Sequence, residues 1–317
     1  MRARLALAGL FSALGAAIGY GALSLVEAPG PLDRAVTVSV PRGGLDRVAE
    51  ALRDAGVIGS VPLFKAAATL TAWQGRLHSA ELVFPRQSSL AGVLVVLRMA
   101  RPVQHKLTIA EGLTAARIGM LVSRADGLAG EIDLPEEGEV LPQTYLYERG
   151  DSVRSVLQRA EGAMRRAIDQ AWASRAADAG LRSRQELLIM ASLVERETHL
   201  PVERALVARV FYNRLAHGMR LQTDPTVVYG QSGGDEDLGR GLTRGDLERD
   251  TPYNTYVRAG LPPGPICSPG IASINAAAHP AQSAALYFVA DGTGGHSFAD
   301  SLDEHVRNVR RYRLLGR

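Results

Sequence analysis

The pattern of apolar and polar positions divides the chain into three stretches. The first is an uncharged apolar run from Leu5 to Val26. In the second, Val36 to Val40 alternates as a half-buried strand does, and Leu45, Val48, Ala49 and Leu52 follow at helical spacing until Gly56. A further helix is predicted over Val61–Trp73, a strand over Glu81–Phe84, and a helix over Ser89–Met99 with Ser88 or Ser89 as its cap. Residues 34–98 thus read as a β-α-α-β-α module. In the third stretch, Val103–Ile109 reads as a strand, and short helices follow Glu111 as far as about Ala125. Gly130–Pro142, acidic and rich in Gly and Pro, reads as a surface loop. Ser152–Arg175 reads as a long amphipathic helix with Val153, Val156, Leu157, Ala160, Met164, Ile168 and Trp172 on one face. Two more helices are expected, one after Ser183 and one over Val202–His217 that Gly218 stops.

The 22 residues from Leu5 to Val26 are long enough, as a helix, to cover a hydrocarbon core of roughly 30 Å. Arg2 and Arg4 predict a cytoplasmic N-terminus and place the chain beyond Glu27 on the far side. A cleaved signal peptide competes, because Val26-Glu27-Ala28 passes as a cleavage site; its usual apolar region of about 7–15 residues is shorter than this run. A net charge of +3, with Arg interspersed among Asp and Glu, argues against nucleic acid. The single Cys267 excludes an internal disulfide, and the seven His lack metal-ligand spacing, so no metal or organic cofactor is expected. Around His296, the Asp291–Gly295 segment lacks the Lys and the helix start of a phosphate loop and reads as a glycine-rich hairpin.

The helix after Ser183 carries the candidate chemistry. Ser183-Arg184-Gln185-Glu186 has capping-box spacing, and the apolar run Leu187–Val194 follows. At about 100° per residue, the apolar direction falls near Met190 and Glu197, whereas Glu195 and Arg196 fall on other faces. A carboxyl on an apolar face holds its proton near neutral pH, as a general acid must. The same Glu197 could equally close the helix, turn outward and pair with Arg204. Residues 219–230 show no amphipathic period and read as a loop dense in hydrogen-bonding groups, suited to sugar hydroxyls or to structure alone.

Several of these segments together resemble the endolytic murein transglycosylases of the YceG-like type. They are Ala191–Thr198, Val210–Leu215, Gly218–Gly230, Thr251–Tyr256, Gly260–Ile266, Ala277–Pro280, Tyr287–Gly292 and Gly295–Phe298, in that order. The resemblance implies an α+β protein: a tail over 1–4, a transmembrane anchor over 5–26, a LysM-like subdomain over 34–98, a connecting region over 99–183, and a catalytic domain over 184–317. It implies a lyase that cuts the β-1,4 bond between N-acetylmuramic acid and N-acetylglucosamine and leaves 1,6-anhydro ends. The catalytic acid of the family maps onto Glu197. Gln222, Asp224, Tyr229, Asn254 and Tyr256 are expected to position the sugar, and Asn213 and Arg220 are alternative contacts. The implied setting is the inner membrane with the catalytic domain in the periplasm, glycan strands as substrate, and peptidoglycan synthases as partners. Ala80-Glu81-Leu82 and Pro142-Gln143-Thr144-Tyr145 depart from the family's usual residues, which bears on glycan binding by the small subdomain. The rival readings are a glycan hydrolase using Asp224 beside Glu197, and a tethered glycan-binding scaffold without catalysis.

Overall fold

A computed structural model describes residue 21 and residues 24–234 and 238–315. The expected membrane span lies almost wholly outside the described residues, and among the described residues no helix is long and apolar enough to cross a membrane. The fold is mixed α+β and divides into two compact units.

The smaller unit comprises the residues up to His105 together with 147–150. Strands β1 (Val36–Ser39) and β2 (Glu81–Phe84) pair antiparallel with Val38 opposite Leu82. Their alternation turns Val38, Leu82 and Phe84 into the core, where helix α1 (Leu45–Asp54) adds Val48, Ala49 and Leu52. Gly56, at φ 71°, follows the end of α1 in the left-handed region that glycine enters without strain. Helices α2 (Val61–Leu70) and α3 (Leu90–Met99) start where Ser60 and Ser89 accept the N–H groups of Leu63 and Gly92. The helix expected to reach Trp73 stops at Leu70, and a 3-10 turn covers Ala72–Gln74. Buried Arg98 on α3 holds that turn. Its guanidinium donates to the Gly75 carbonyl (3.2 Å), the Gln74 side chain (3.1 Å) and the Thr71 hydroxyl (2.9 Å). A chain that leaves its helix there leaves polar groups behind, and one arginine satisfies them.

The larger unit comprises residues 106–146 and 151–317. Strands β3 (His105–Thr108) and β4 (Thr144–Tyr147) pair with each other; β4 has no counterpart among the sequence-based expectations. Helix α4 (Ala115–Ser123) is capped by Thr114, and α5 (Val153–Ser174) by Ser152. The stretch expected as a surface loop, 130–142, departs from that reading at its end: Val140 and Leu141 are buried, and the Leu141 N–H donates to the Ala160 carbonyl of α5 (3.2 Å). Helices α6 (Arg184–Glu197), α7 (Arg204–Ala216) and α10 (Ile271–Ala278) pack with α5 around the main core. Between them lie α8 (Asp224–Ser232) and the short α9 (Arg244–Glu248), and the chain ends in hairpin β5 (Tyr287–Ala290)–β6 (His296–Ala299) and helix α11 (Leu302–Leu315).

The other departure is α8, which occupies half of the segment read as a loop. Pro225 stands in its first turn, where a fixed φ suits a helix start, and Gly233 at φ 64° ends it. Only Thr226 and Val227 are buried along α8, so the helix has almost no apolar stripe for a periodicity argument to detect.

Replacing Arg98 with Ala is expected to lower the stability of the smaller unit by about 2–4 kcal/mol, because several buried acceptors lose their donor together. Thermal melts of the full chain, with far-UV circular dichroism, measure this loss.

Candidate active site

Helix α6 is not the one-faced amphipathic helix that its pattern suggested. Every residue from Leu187 to Glu195 is buried, so the helix runs through the core rather than over it. Ser183 accepts the Glu186 N–H (3.1 Å), while the Glu186 carboxylate accepts the N–H of Arg182 (2.7 Å), a variant of the expected reciprocal cap. Ser192, fully buried, accepts the N–H of Ile266 (3.1 Å) and so fixes the glycine- and proline-rich 260–268 segment against α6.

The two acids of the last turn have different surroundings. Glu195 is 4% exposed, accepts the N–H of Gly270 (2.9 Å) and faces the guanidinium of Arg204 at 3.7 Å. The pairing with Arg204 considered for Glu197 is therefore made by Glu195, and inside the protein rather than outward. Glu197 ends the helix and keeps partial solvent access, though the protein mass around its carboxyl desolvates it. Burial is the largest influence on this carboxyl and, with the charge of Asp224, raises it from the ordinary 4.5 to about 7; a hydrogen bond from Thr223 and the charges of His296 and Arg214 oppose this only in part. The negative end of the helix dipole acts in the same direction as burial.

The hydroxyl that reaches Glu197 belongs to Thr223, which donates to Oε1. Thr223 is positioned by a knot of threonines. Its N–H donates to the Thr255 hydroxyl (3.0 Å), its carbonyl accepts the Thr226 hydroxyl (2.7 Å), and the Thr226 and Thr255 hydroxyls meet at 2.9 Å. Gln222, beside it, takes φ 51°, a left-handed conformation that costs a non-glycine residue about 1–3 kcal/mol. Its N–H binds the Thr255 carbonyl (3.2 Å), which holds the bend. The Gln222 side chain is exposed.

The five expected sugar-positioning residues separate into two groups. Asp224 and Tyr256 gather beside Glu197, with Gln222 next to Thr223 in the chain: the Tyr256 phenol donates to the exposed Asp224 carboxylate (2.6 Å), and both Asp224 and Tyr256 act electrostatically on or with Glu197. Tyr229 points elsewhere. It donates to Glu137 (3.2 Å), packs against Tyr253 with ring centres 4.7 Å apart, and lines a small cavity with Arg117, Arg196 and Ser232. Asn254 does not have the role expected from the sequence. It is 1% exposed, and its amide donates to the carbonyls of Leu247 (3.0 Å) and Arg249 (2.7 Å), so it ties the loop rather than meeting a ligand. Asn213 is committed in the same way to the carbonyls of Ser283 and Ala285, and Arg220 to that of Tyr256. Thr223 and Arg214 lie inside segments that resemble the family but had no role assigned to them from the sequence. Arg214 binds the Leu286 and Leu221 carbonyls (2.7 and 2.6 Å) and adds its charge near Glu197.

With this geometry in view, the comparison with known proteins is decisive at the level of family: residues 38–311 match the YceG-like family. The chain belongs to the YceG-like family. An endolytic murein transglycosylase of Bacillus subtilis (strain 168) is 39% identical over 178 residues, which cover 56% of this chain and 48% of that protein. One from Streptococcus pneumoniae serotype 2 is 33% identical over 186 residues, covering 56% of this chain and 32% of that protein. The chain thus spans less than half the length of these curated relatives. A crystal structure of a yceG-like protein from Listeria monocytogenes, 29% identical, superposes with a TM-score of 0.54 over 87% of this chain and 99% of that one. The YceG-like fold thus extends over both units.

The raised carboxyl makes a stability prediction. Below pH 4.5 Glu197 is protonated in folded and unfolded chains alike; between 4.5 and about 7 the unfolded chain ionises first, so folding loses stability as pH rises. Glu197→Gln is therefore expected to match the wild type at pH 4 and to exceed it by about 1–3 kcal/mol at pH 8. Denaturant titrations at the two pH values measure the difference.

Proposed function

We propose that the chain is an endolytic peptidoglycan lytic transglycosylase with Glu197 as its acid and base. The observation that carries this reading is a single carboxyl, raised to about 7, at the end of a core helix and beside polar residues that reach solvent. The proton on Glu197 passes to the glycosidic oxygen as the C1–O bond of the muramic acid breaks. Glu197, now a carboxylate, takes the proton of the sugar's own C6 hydroxyl as that oxygen bonds to C1. A 1,6-anhydro end results, and the carboxyl returns to its starting state without water. Asp224 raises the acid before the reaction and offers negative charge to the oxocarbenium-like state, while Tyr256 holds it in place. The relatives named endolytic murein transglycosylases support this substrate class.

The hydrolase reading has one observation in its favour: Asp224 is exposed and acts on Glu197 as a second carboxylate could. Its bond to Tyr256 favours a fixed electrostatic role instead. In the proposed setting, residues 5–26 anchor the chain in the inner membrane, the small unit is a LysM-like glycan-binding module in the periplasm, and the strands cut are those being made by nearby synthases.

Digestion of purified peptidoglycan, with product masses read out, tests the reaction. Anhydro ends one water lighter than reducing ends are expected, and reducing ends alone would refute the lyase. Glu197→Gln is expected to lower the rate by about 10²–10⁴-fold with the fold intact. The wild-type rate is expected to fall as pH rises through about 7, since only the protonated carboxyl can act as the acid.

A further inference from the structure

Glu203, the residue before α7, binds groups from two other elements. Its Oε1 accepts the backbone N–H of His296 (2.7 Å), and its Oε2 pairs with the His296 ring Nδ1 (2.7 Å). Oε2 also accepts the hydroxyl of Thr198 (3.1 Å). Thr198 is the C-cap of α6 and is joined covalently to Glu197. The Glu203 and His296 side chains are only 12% and 17% exposed, so this is a desolvated pair and not a surface ion pair of little consequence.

The turn of the hairpin does not need this contact. Asp291 closes it unaided, its Oδ1 accepting the N–H of Thr293 (2.7 Å), the Thr293 hydroxyl (2.8 Å) and the N–H of Gly295 (3.1 Å). A Cβ at Gly295 would lie 2.8 Å from Glu203 Oε1, so a side chain there would push the carboxylate aside. The His296 ring stands edge-on to Phe288, with centres 5.3 Å apart, and lies 6.4 Å from Phe298, which fixes its orientation.

We propose that Glu203 and His296 are positioning residues for Glu197: through Thr198 they hold the last turn of α6 from the hairpin side. This rests on Glu197 being the acid. The ionisable groups of this corner are Glu203 just before α7, Arg214 on α7, Glu197 on α6, Asp224 on α8, Asp291 in the hairpin turn, and the stacked Tyr287 and His305. Of these, Glu203 is the one that hydrogen-bonds His296. Burial pushes Glu203 up, but the bonds from His296 and Thr198 outweigh it and keep the carboxyl below its ordinary value. The positive form of His296 favours the ionised form of Glu197, and Asp224 favours the protonated one, so the two sides of the site act in opposition.

The test uses the full chain in detergent, with the variants His296→Phe and His296→Gln, and two readouts: carbon-13 titration of the Glu197 carboxyl, and kcat and KM on peptidoglycan. In His296→Phe the Glu197 midpoint is expected to move to higher pH, and kcat to fall about tenfold with KM within about twofold. His296→Gln, which can restore a donor to Glu203 but no charge, is expected to recover kcat to within about threefold while its midpoint stays raised. An unmoved midpoint in a folded variant overturns the proposal, as does a change confined to KM. If His296→Phe does not fold, the midpoint in His296→Gln decides. If the wild type cleaves no glycan, the functional reading fails, and the titration still decides whether the pair acts on Glu197.

Discussion

Desolvation of one carboxyl is the constraint on which the site depends. A helix buried on every side can end in a glutamate only if that carboxyl is neutral, is paired, or finds a route to solvent. The last turn of α6 uses two of these solutions: Glu195 faces Arg204 and the Gly270 N–H, and Glu197 is held near neutrality with partial access to solvent. Had both acids been paired, the helix would be more stable and chemically inert. Had neither been buried, the carboxyl of Glu197 would ionise near its ordinary value and could not carry a proton at pH 7.

The surroundings of Glu197 are rigid where they touch it. Three buried threonines from two segments hold one another, and one of them, Thr223, hydrogen-bonds the acid. Such a knot pre-orients a donor without a charge; its hydrogen bond lowers the proton affinity of the carboxyl only in part, and burial keeps it raised. The strained backbone of Gln222 lies in the same bend, which is consistent with strain being retained where a site needs it. On the other side, Thr198 links the acid to Glu203 and the hairpin, so three chain segments far apart in sequence converge on one side chain.

The charges around the site are asymmetric. Asp224, held by Tyr256, favours the acid form, whereas Arg214 and His296 favour the carboxylate. In the proposed reaction Glu197 gives up a proton and then recovers it, and such a balance keeps either protonation state from becoming a trap. The small unit has a separate core closed by Arg98, a polar solution to a chain leaving its helix early.

The sequence by itself determined most of the elements and singled out Glu197 as the candidate acid. Period-two and helical spacing located β1, β2, α1 and α5 to within about a residue or two, because each carries its apolar stripe in local order. The Glu195-Arg196-Glu197-Thr198 motif pointed to that residue; the helical wheel picked the same one on a one-faced premise that the structure does not keep, since Glu195 is the more buried of the two. Helix α8 was not legible, because two buried residues make no stripe, and the four residues of β4 were read only as part of the connecting region. Tertiary structure alone decided that Glu195 takes Arg204, that Asn254 ties a loop, and that Tyr229 turns to Glu137. It also brought Thr223, Arg214 and His296 to the acid. A hydrogen bond or a charge acts through space, over contacts that local periodicity does not encode, so only the folded chain could assign these partners.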